Sequence, residues 1–305
     1  MTYRSLMVHL NLEPCSESAL HITCELADRF KSKVIGVAAG LPNAVAHADG
    51  MIASSVLEAD YEHLNQAFAR CESRFRSALK EVGSSLEWRS DAAYPADFLA
   101  MEARAADLLI VGRPEIYAAL SPHQPLDIGD AVMKAGRPIL IVPPRHTSLA
   151  LNRILIAWKD TAEARRAISA ALPLIKQANE TMIVEIVSNE SERDAAGERV
   201  ADVTKWLQRH NVSASAKVEL SAGDGGSQLD AIASEARIDM IVAGAYGHSR
   251  LRECIFGGVT HHLLSEKHDM RASGSLILAC SLVPTSPKFQ MSSIDLNQSA
   301  RRQLQ

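Results

Sequence analysis

Apolar and polar positions along this chain alternate between two periods. Short β-branched runs at residues 5–10 (SLMVHL), 34–39 (VIGVAA), 86–90, 107–112 (DLLIVG) and 138–142 (PILIV) predict strands. Between them, helical spacing predicts helices over residues 17–31, 95–105 and 126–135. A longer helix carries Leu57, Tyr61, Leu64, Phe68, Cys71, Phe75 and Ala78 at steps of four and three. That spacing lines up one apolar stripe, read as core packing, with a surface for a partner helix as the lesser option. Strand and helix in alternation is the pattern of βαβ units and a parallel sheet.

From residue 153 the same order returns. Strands are predicted at 153–158 (RILIAW), 181–187, 214–220, 239–244 (DMIVAG) and 275–279 (SLILA). Helices are predicted at 162–176, 227–236 and from 258 to 266, with a further one placing Ala196, Val200, Val203 and Leu207 on one face. The first strands of the two halves begin at residues 5 and 153, and the Asp-led fourth strands at 107 and 239. The shrinking offset marks insertions and deletions between two related halves. Two prolines in the stretch 143–150 stop helix and ladder alike, so a short, stiff connector is expected there. The polar residues 284–305 read as a tail outside the fold.

Composition narrows the function. At 305 residues the chain suits two domains, and 47% hydrophobic with 22% charged residues is an ordinary globular balance. The formal charge is −4 and the basic residues are dispersed, which argues against a phosphate-backbone binder and hence against nucleic acid as a partner. No apolar run approaches the roughly 18–20 residues that span a bilayer, so no membrane association is expected. The first ten residues read as a strand rather than an export signal. Five cysteines, an odd number with no CxxC pair, are expected as reduced thiols in a cytoplasmic protein.

Candidate chemistry concentrates in the second half. After the fourth strand comes Gly244-Ala-Tyr-Gly247-His248, and then Gly257-Gly258-Val259-Thr260, in the form G-x2-G-x9-G-G-x-T. Gly244 and Gly247 bracket a turn where the missing Cβ permits positive φ and close approach of a ligand to the main chain. Gly257 and Gly258 open a predicted helix, whose unpaired amides and dipole favour an anion. Thr260 adds a hydroxyl in that first turn, and His248 lies within reach of a phosphate. At the mouth of the first strand, Lys159 supplies a positive charge and Thr161 a helix N-cap. The first half lacks an intact copy: Gly112-Arg-Pro-Glu115 puts an acid at the second glycine, and Gly129-Asp130 places another carboxylate where an anion would sit. No nucleotide or other cofactor is expected there. His261-His262 point in different directions on a helix and make no metal site, and Cys254 is read as an ordinary thiol.

Up to about residue 283 the chain resembles the universal stress proteins, as two UspA-type domains in tandem. The family's glycine signature, G-x2-G-x9-G-[S/T], appears as Gly244, Gly247 and Gly257, with Gly258 in place of the hydroxyl residue. The resemblance implies an α/β fold of two tandem Rossmann-like (adenine nucleotide alpha hydrolase-like) open parallel-sheet domains with helices on both faces. It divides the chain into a degenerate domain at 1–145 and a domain with the nucleotide-binding motif at 151–283. It also implies ATP, with Mg, as ligand, with Ala157, Ile186 and Ala243 lining the adenine pocket and Val259 adding a main-chain contact. The family's ribose-binding aspartate aligns with Lys159, and Asp160 comes one place late. Association through the last strand of each domain is implied too, with 138–142 and 275–279 pairing inside one chain and a further homodimer through exposed edges.

No Gly-x-Ser-x-Gly elbow, HExxH or Walker A sequence occurs. The leading expectation is a regulatory, ATP-binding stress-response module with slow hydrolysis at most. The alternatives are a nucleotide-free dimerisation scaffold and an ATP-hydrolysing or nucleotidyl-transferring enzyme.

Overall fold

In this computed structural model the described residues are 2–12, 16–42, 54–83, 85–113, 125–144, 146–245 and 275–281. The first half runs β1 (Ser5–His9), α1 (Glu17–Phe30), β2 (Lys33–Ala39), α2 (Ser54–Ala78), β3 (Leu86–Asp91), α3 (Pro95–Glu102), β4 (Leu108–Gly112), α4 (Ile128–Lys134) and β5 (Ile139–Val142). The second runs β6 (Arg153–Trp158), α5 (Ala162–Ile175), β7 (Glu180–Val187), α6 (Arg193–Arg209), β8 (Ala214–Leu220), α7 (Gly225–Glu235), β9 (Met240–Ala245) and β10 (Leu276–Ser281). The predicted strands all form, within one or two residues of their expected ends. The predicted helix at 258–266 and the tail at 284–305 lie outside the described residues.

The ten strands among the described residues join one sheet in the order β3-β2-β1-β4-β5-β10-β9-β6-β7-β8. Each half contributes five strands with the same internal order, parallel throughout. The halves meet where β10 pairs antiparallel with β5, Ile277 opposite Ile141 and Leu278 opposite Leu140. The strands expected to pair within the chain therefore do so. The edges left open, β3 and β8, carry charge: Lys33 reaches across to Glu87 on β3 at 2.5 Å, and Lys217 pairs with Glu219 on β8. Charges on an edge discourage further strand addition.

The recurring aspartate at the head of each fourth strand has a local cause. Asp107 Oδ2 accepts from the backbone N–H groups of Arg4 (2.8 Å) and Ser5 (3.0 Å), and Asp239 Oδ2 accepts from Arg153 N (2.8 Å). Each carboxylate thus satisfies amides at the start of the neighbouring first strand, which the ladder leaves open.

Two apolar cores lie on opposite faces of the sheet, and both draw side chains from both halves. Leu6, Val8, Ile154 and Ile156 share one face with α1, α2, α5 and α6, while Met7, Ile35, Leu155 and Val184 share the other with α3, α4 and α7. Tyr3 strengthens the junction by donating its hydroxyl to Ala170 O in α5 at 2.6 Å. The connector adds to it: Leu149 and Leu151 are buried, and Leu149 N donates to Glu25 Oε2 at 3.0 Å.

The apolar stripe of α2 divides. Leu64, Phe68, Cys71 and Phe75 are buried as core packing requires, whereas Leu57 and Tyr61 stay 36% and 43% exposed. Both lie in the first two turns of this 25-residue helix, and Ala78 at its other end is exposed too, so helical spacing alone overestimates the buried length.

In α6, Gly197 sits in a helix interior, and a Cβ there would meet nothing within 4 Å. Gly197→Ala is expected to raise stability by about 0.5–1 kcal/mol, read as a higher urea midpoint at unchanged slope.

Candidate functional site

Strand order reverses between β6 and β9: from β6 the chain goes outward to β7 and β8, and returns on the other side as β9. Crevices of this kind, at the carboxyl ends of strands, are where open α/β sheets bind ligands. The side chains bordering this one are small. Ala157 on β6 is the register partner of Ala243 on β9, so the two methyls lie side by side on one face. Ile186, near the end of β7, shares that face by strand alternation, and both it and Ala157 are only partly buried against the second core.

Beyond Trp158 the chain turns tightly: Thr161 N donates to Lys159 O at 2.6 Å. Thr161 then caps α5, its Oγ1 accepting from Ala164 N at 3.3 Å, as its position before a helical run predicts. Lys159 and Asp160 are exposed on this turn, and Asp160 forms an ion pair with Arg165. Lys159 is thus brought to the mouth of the crevice, beside the amino end of α5.

Gly244 needs a different explanation from the one its motif suggests. The positive-φ glycines among the described residues are Gly136 and Gly223; Gly244 is an ordinary strand residue. A Cβ on it would lie 2.5 Å from Ala164 N and 2.8 Å from Glu163 C, so the missing side chain makes room for the first turn of α5. Gly112, its counterpart on β4, plays the same part in the first half: a Cβ there would sit 1.9 Å from Ser16 Oγ, the N-cap of α1. The approach that these glycines permit is that of a helix to the sheet.

One group had no sequence signal. Glu163, in the first turn of α5, is 2% exposed, and its Oε1 has no hydrogen-bond partner. An acid in a helix's first turn is ordinary, and only the close seating of α5 on Gly244 buries this one. It contributes, after burial itself, to holding the Cys280 thiol above its usual range, while Arg166 pulls the other way. Cys280 is therefore a protonated, unreactive thiol near neutral pH.

The equivalent positions in the first half carry different side chains. There the register partners are His9 and Val111 in place of two alanines, and His9 is only 3% exposed with Nε2 unpartnered. Burial lowers its pKa from 6.5 to about 4, so the imidazole is neutral at pH 7. Asp130 lies in the first turn of α4, where Lys134 pairs with it at 2.6 Å and with Asp97 at 2.7 Å. Among the described residues no cluster of three potential metal ligands occurs. Of the residues singled out in the sequence, Ala157, Ala243 and Ile186 share one face at the carboxyl ends of β6, β9 and β7, Lys159 and Thr161 follow β6 on the turn into α5, and Gly244 lies against α5 on the opposite face. Gly247, His248, Cys254, Gly257, Gly258, Val259, Thr260, His261, His262 and Glu115 lie outside the described residues.

Residues 150–267 match the model of the universal stress protein family. The fold is similar to that of a universal stress protein from Archaeoglobus fulgidus, at TM-score 0.64 and 14% identity over 92% of this chain and 97% of that one. A candidate universal stress protein from Pseudomonas aeruginosa gives 0.57 at 14% identity over 92% and 93%. A functionally unknown protein from the same species gives 0.53 at 13% identity over 92% of both chains. No curated protein matches the sequence. No helix among the described residues is long and apolar enough to cross a membrane. Residues 150–267 thus match the universal stress protein family model, in a chain whose fold is similar, over most of its length, to solved structures of universal stress proteins.

Proposed function

We propose that the second half of this chain, residues 151–283, binds an adenine nucleotide, ATP foremost, at the carboxyl ends of β6, β7 and β9. The chain then acts as a cytoplasmic, regulatory stress-response module, and the first half, residues 1–145, serves as its nucleotide-free counterpart. The observation that carries this reading is the alanine pair, Ala157 beside Ala243, at the point where strand order reverses. Two methyl groups there leave room for a flat ring, whereas His9 beside Val111 fills the matching place in the first half.

In this reading adenine lies over Ala157, Ala243 and Ile186. Lys159 offsets the phosphate charge together with Mg, and Thr161 holds the turn that carries Lys159. The sequence around Gly247, His248, Gly257, Gly258, Val259 and Thr260 supplies main-chain amides and a hydroxyl for the phosphates. Regulation follows if nucleotide favours one packing of the halves or one partner over another.

Titration calorimetry of the full chain with ATP, ADP and AMP tests the proposal. Ala157→Leu, which fills the crevice, should weaken binding by about tenfold or more, equivalent to roughly 1.4 kcal/mol. Absence of binding heat for all three nucleotides with the unaltered chain would overturn the reading and favour the scaffold.

A further inference from the structure

A second cavity opens on the face of β6 opposite Ala157. It has a volume of about 440 Å³ and lies between α5 and α6, within the roughly 300–1,000 Å³ common to small-molecule sites. Its apolar walls are Trp158, Ile168, Val203 and Trp206. Strand alternation separates the two places: Ala157 faces the core of α3, α4 and α7, whereas Trp158 faces that of α5 and α6.

Two observations define what this cavity would hold. First, Trp158 and Trp206 border the same space, yet among the described residues no ring contact joins them. Trp206 rests instead against His210 on its own helix, ring centroids 4.5 Å apart, which holds it on the α6 side. Trp158 is 7% exposed with its Nε1 shielded from water, so what it presents to the cavity is ring carbon. Aromatic rings attract one another edge-to-face or offset-stacked, and here two of them flank room for a third.

Second, the charges at the cavity's edge are closed among the protein's own groups. Arg165 pairs with Asp160, and Arg199 Nε donates to the buried Glu185 Oε1 at 3.0 Å. Asp202 stands in solvent beside Lys205, 3.4 Å away. A charged ligand would lose hydration on entering and meet no uncommitted counter-ion. An uncharged one gives up only the contact of its apolar surface with water, which favours entry.

We propose that this cavity is a second ligand site, built for an uncharged, planar aromatic molecule of two or three fused rings. The ligand lies between Trp158 and Trp206, with Ile168 and Val203 against its edges. Burial of its apolar surface supplies the affinity, and the methylene stems of the paired arginines cover its rim. Because the site lies on the other face of β6, it stands independently of nucleotide in the Ala157 crevice.

The probe is 2-naphthol, uncharged near neutral pH, with 2-naphthoate and 2-naphthylmethylammonium as an anion and a cation of similar shape. The chain has three tryptophans, so a nitrogen-15-labelled sample gives three indole N–H signals. Titration with 2-naphthol should shift the Trp158 and Trp206 signals saturably through its ring current and leave that of Trp88, on the distant edge strand, in place. Both ions should bind about tenfold or more weakly than the neutral probe. Val203→Phe, which fills the cavity, and Trp206→Ala, which removes a wall, should each weaken 2-naphthol binding by a similar factor, with far-ultraviolet circular dichroism unaltered. No saturable shift up to the solubility limit of the probe, equal movement of Trp88, either ion binding as tightly as 2-naphthol, or indifference to both substitutions would each overturn the proposal.

Discussion

Gly244→Ala should destabilise the chain by roughly 2–3 kcal/mol, the cost of overpacking a site that cannot relax. The atoms a new methyl would meet are backbone, Ala164 N at 2.5 Å and Glu163 C at 2.8 Å, so no side chain can rotate away. The first turn of α5 must lift instead. That movement would loosen the Thr161 cap and shift the turn carrying Lys159, so nucleotide binding should weaken along with stability. Urea unfolding followed by circular dichroism measures the first effect and calorimetry the second. A midpoint unchanged from the unaltered chain would show that helix and strand are not in close contact at Gly244. Gly197→Ala, with open space around the new methyl, provides the matching control in which the same chemical change stabilises.

The second large effect is on pH dependence. His9 has a pKa of about 4 when folded against 6.5 when free, because burial disfavours the imidazolium. Between these values the unfolded chain binds more protons than the folded one, so stability rises with pH across that window. The contribution is complete above pH 6.5, declines as pH falls, and is exhausted near pH 4. It amounts to roughly 3 kcal/mol at about 1.4 kcal/mol per pKa unit. Replacing His9 with Met, similar in volume and unable to protonate, should remove this part of the acid sensitivity. The check is the difference in unfolding free energy between the two chains at pH 7 and pH 4.5. A difference that does not change with pH would show that His9 does not titrate in this way.

Much of the architecture was legible because sheet and helix periods are local. The runs ILIA in β6 and IVAG in β9 alternate too little to be one-sided strands, and both are covered on two faces, as the βαβ pattern requires. The cap at Thr161 was equally plain from its place before a helical run. The stripe of α2 was legible in kind but not in extent, since periodicity does not reveal which turns of a helix find a surface to pack on. Gly244 was found for its motif, yet its reason is a helix some 80 residues earlier in the chain, which no local pattern discloses. The cavity beside Trp158 gave no sign, because α5 and α6 meet there only through the fold.

The sequence by itself determined the two sets of strands and helices and their order, since these follow from period and branching; Ala157 and Ala243 were legible only through the resemblance to the universal stress proteins. Tertiary structure alone decided that the Nε2 of buried His9 has no partner and that Glu163 and Trp158 have unsatisfied polar atoms. Those properties depend on which distant surfaces come together and exclude water. That is settled by packing across β5 and β10 and beneath α5, where residues far apart in the chain become neighbours.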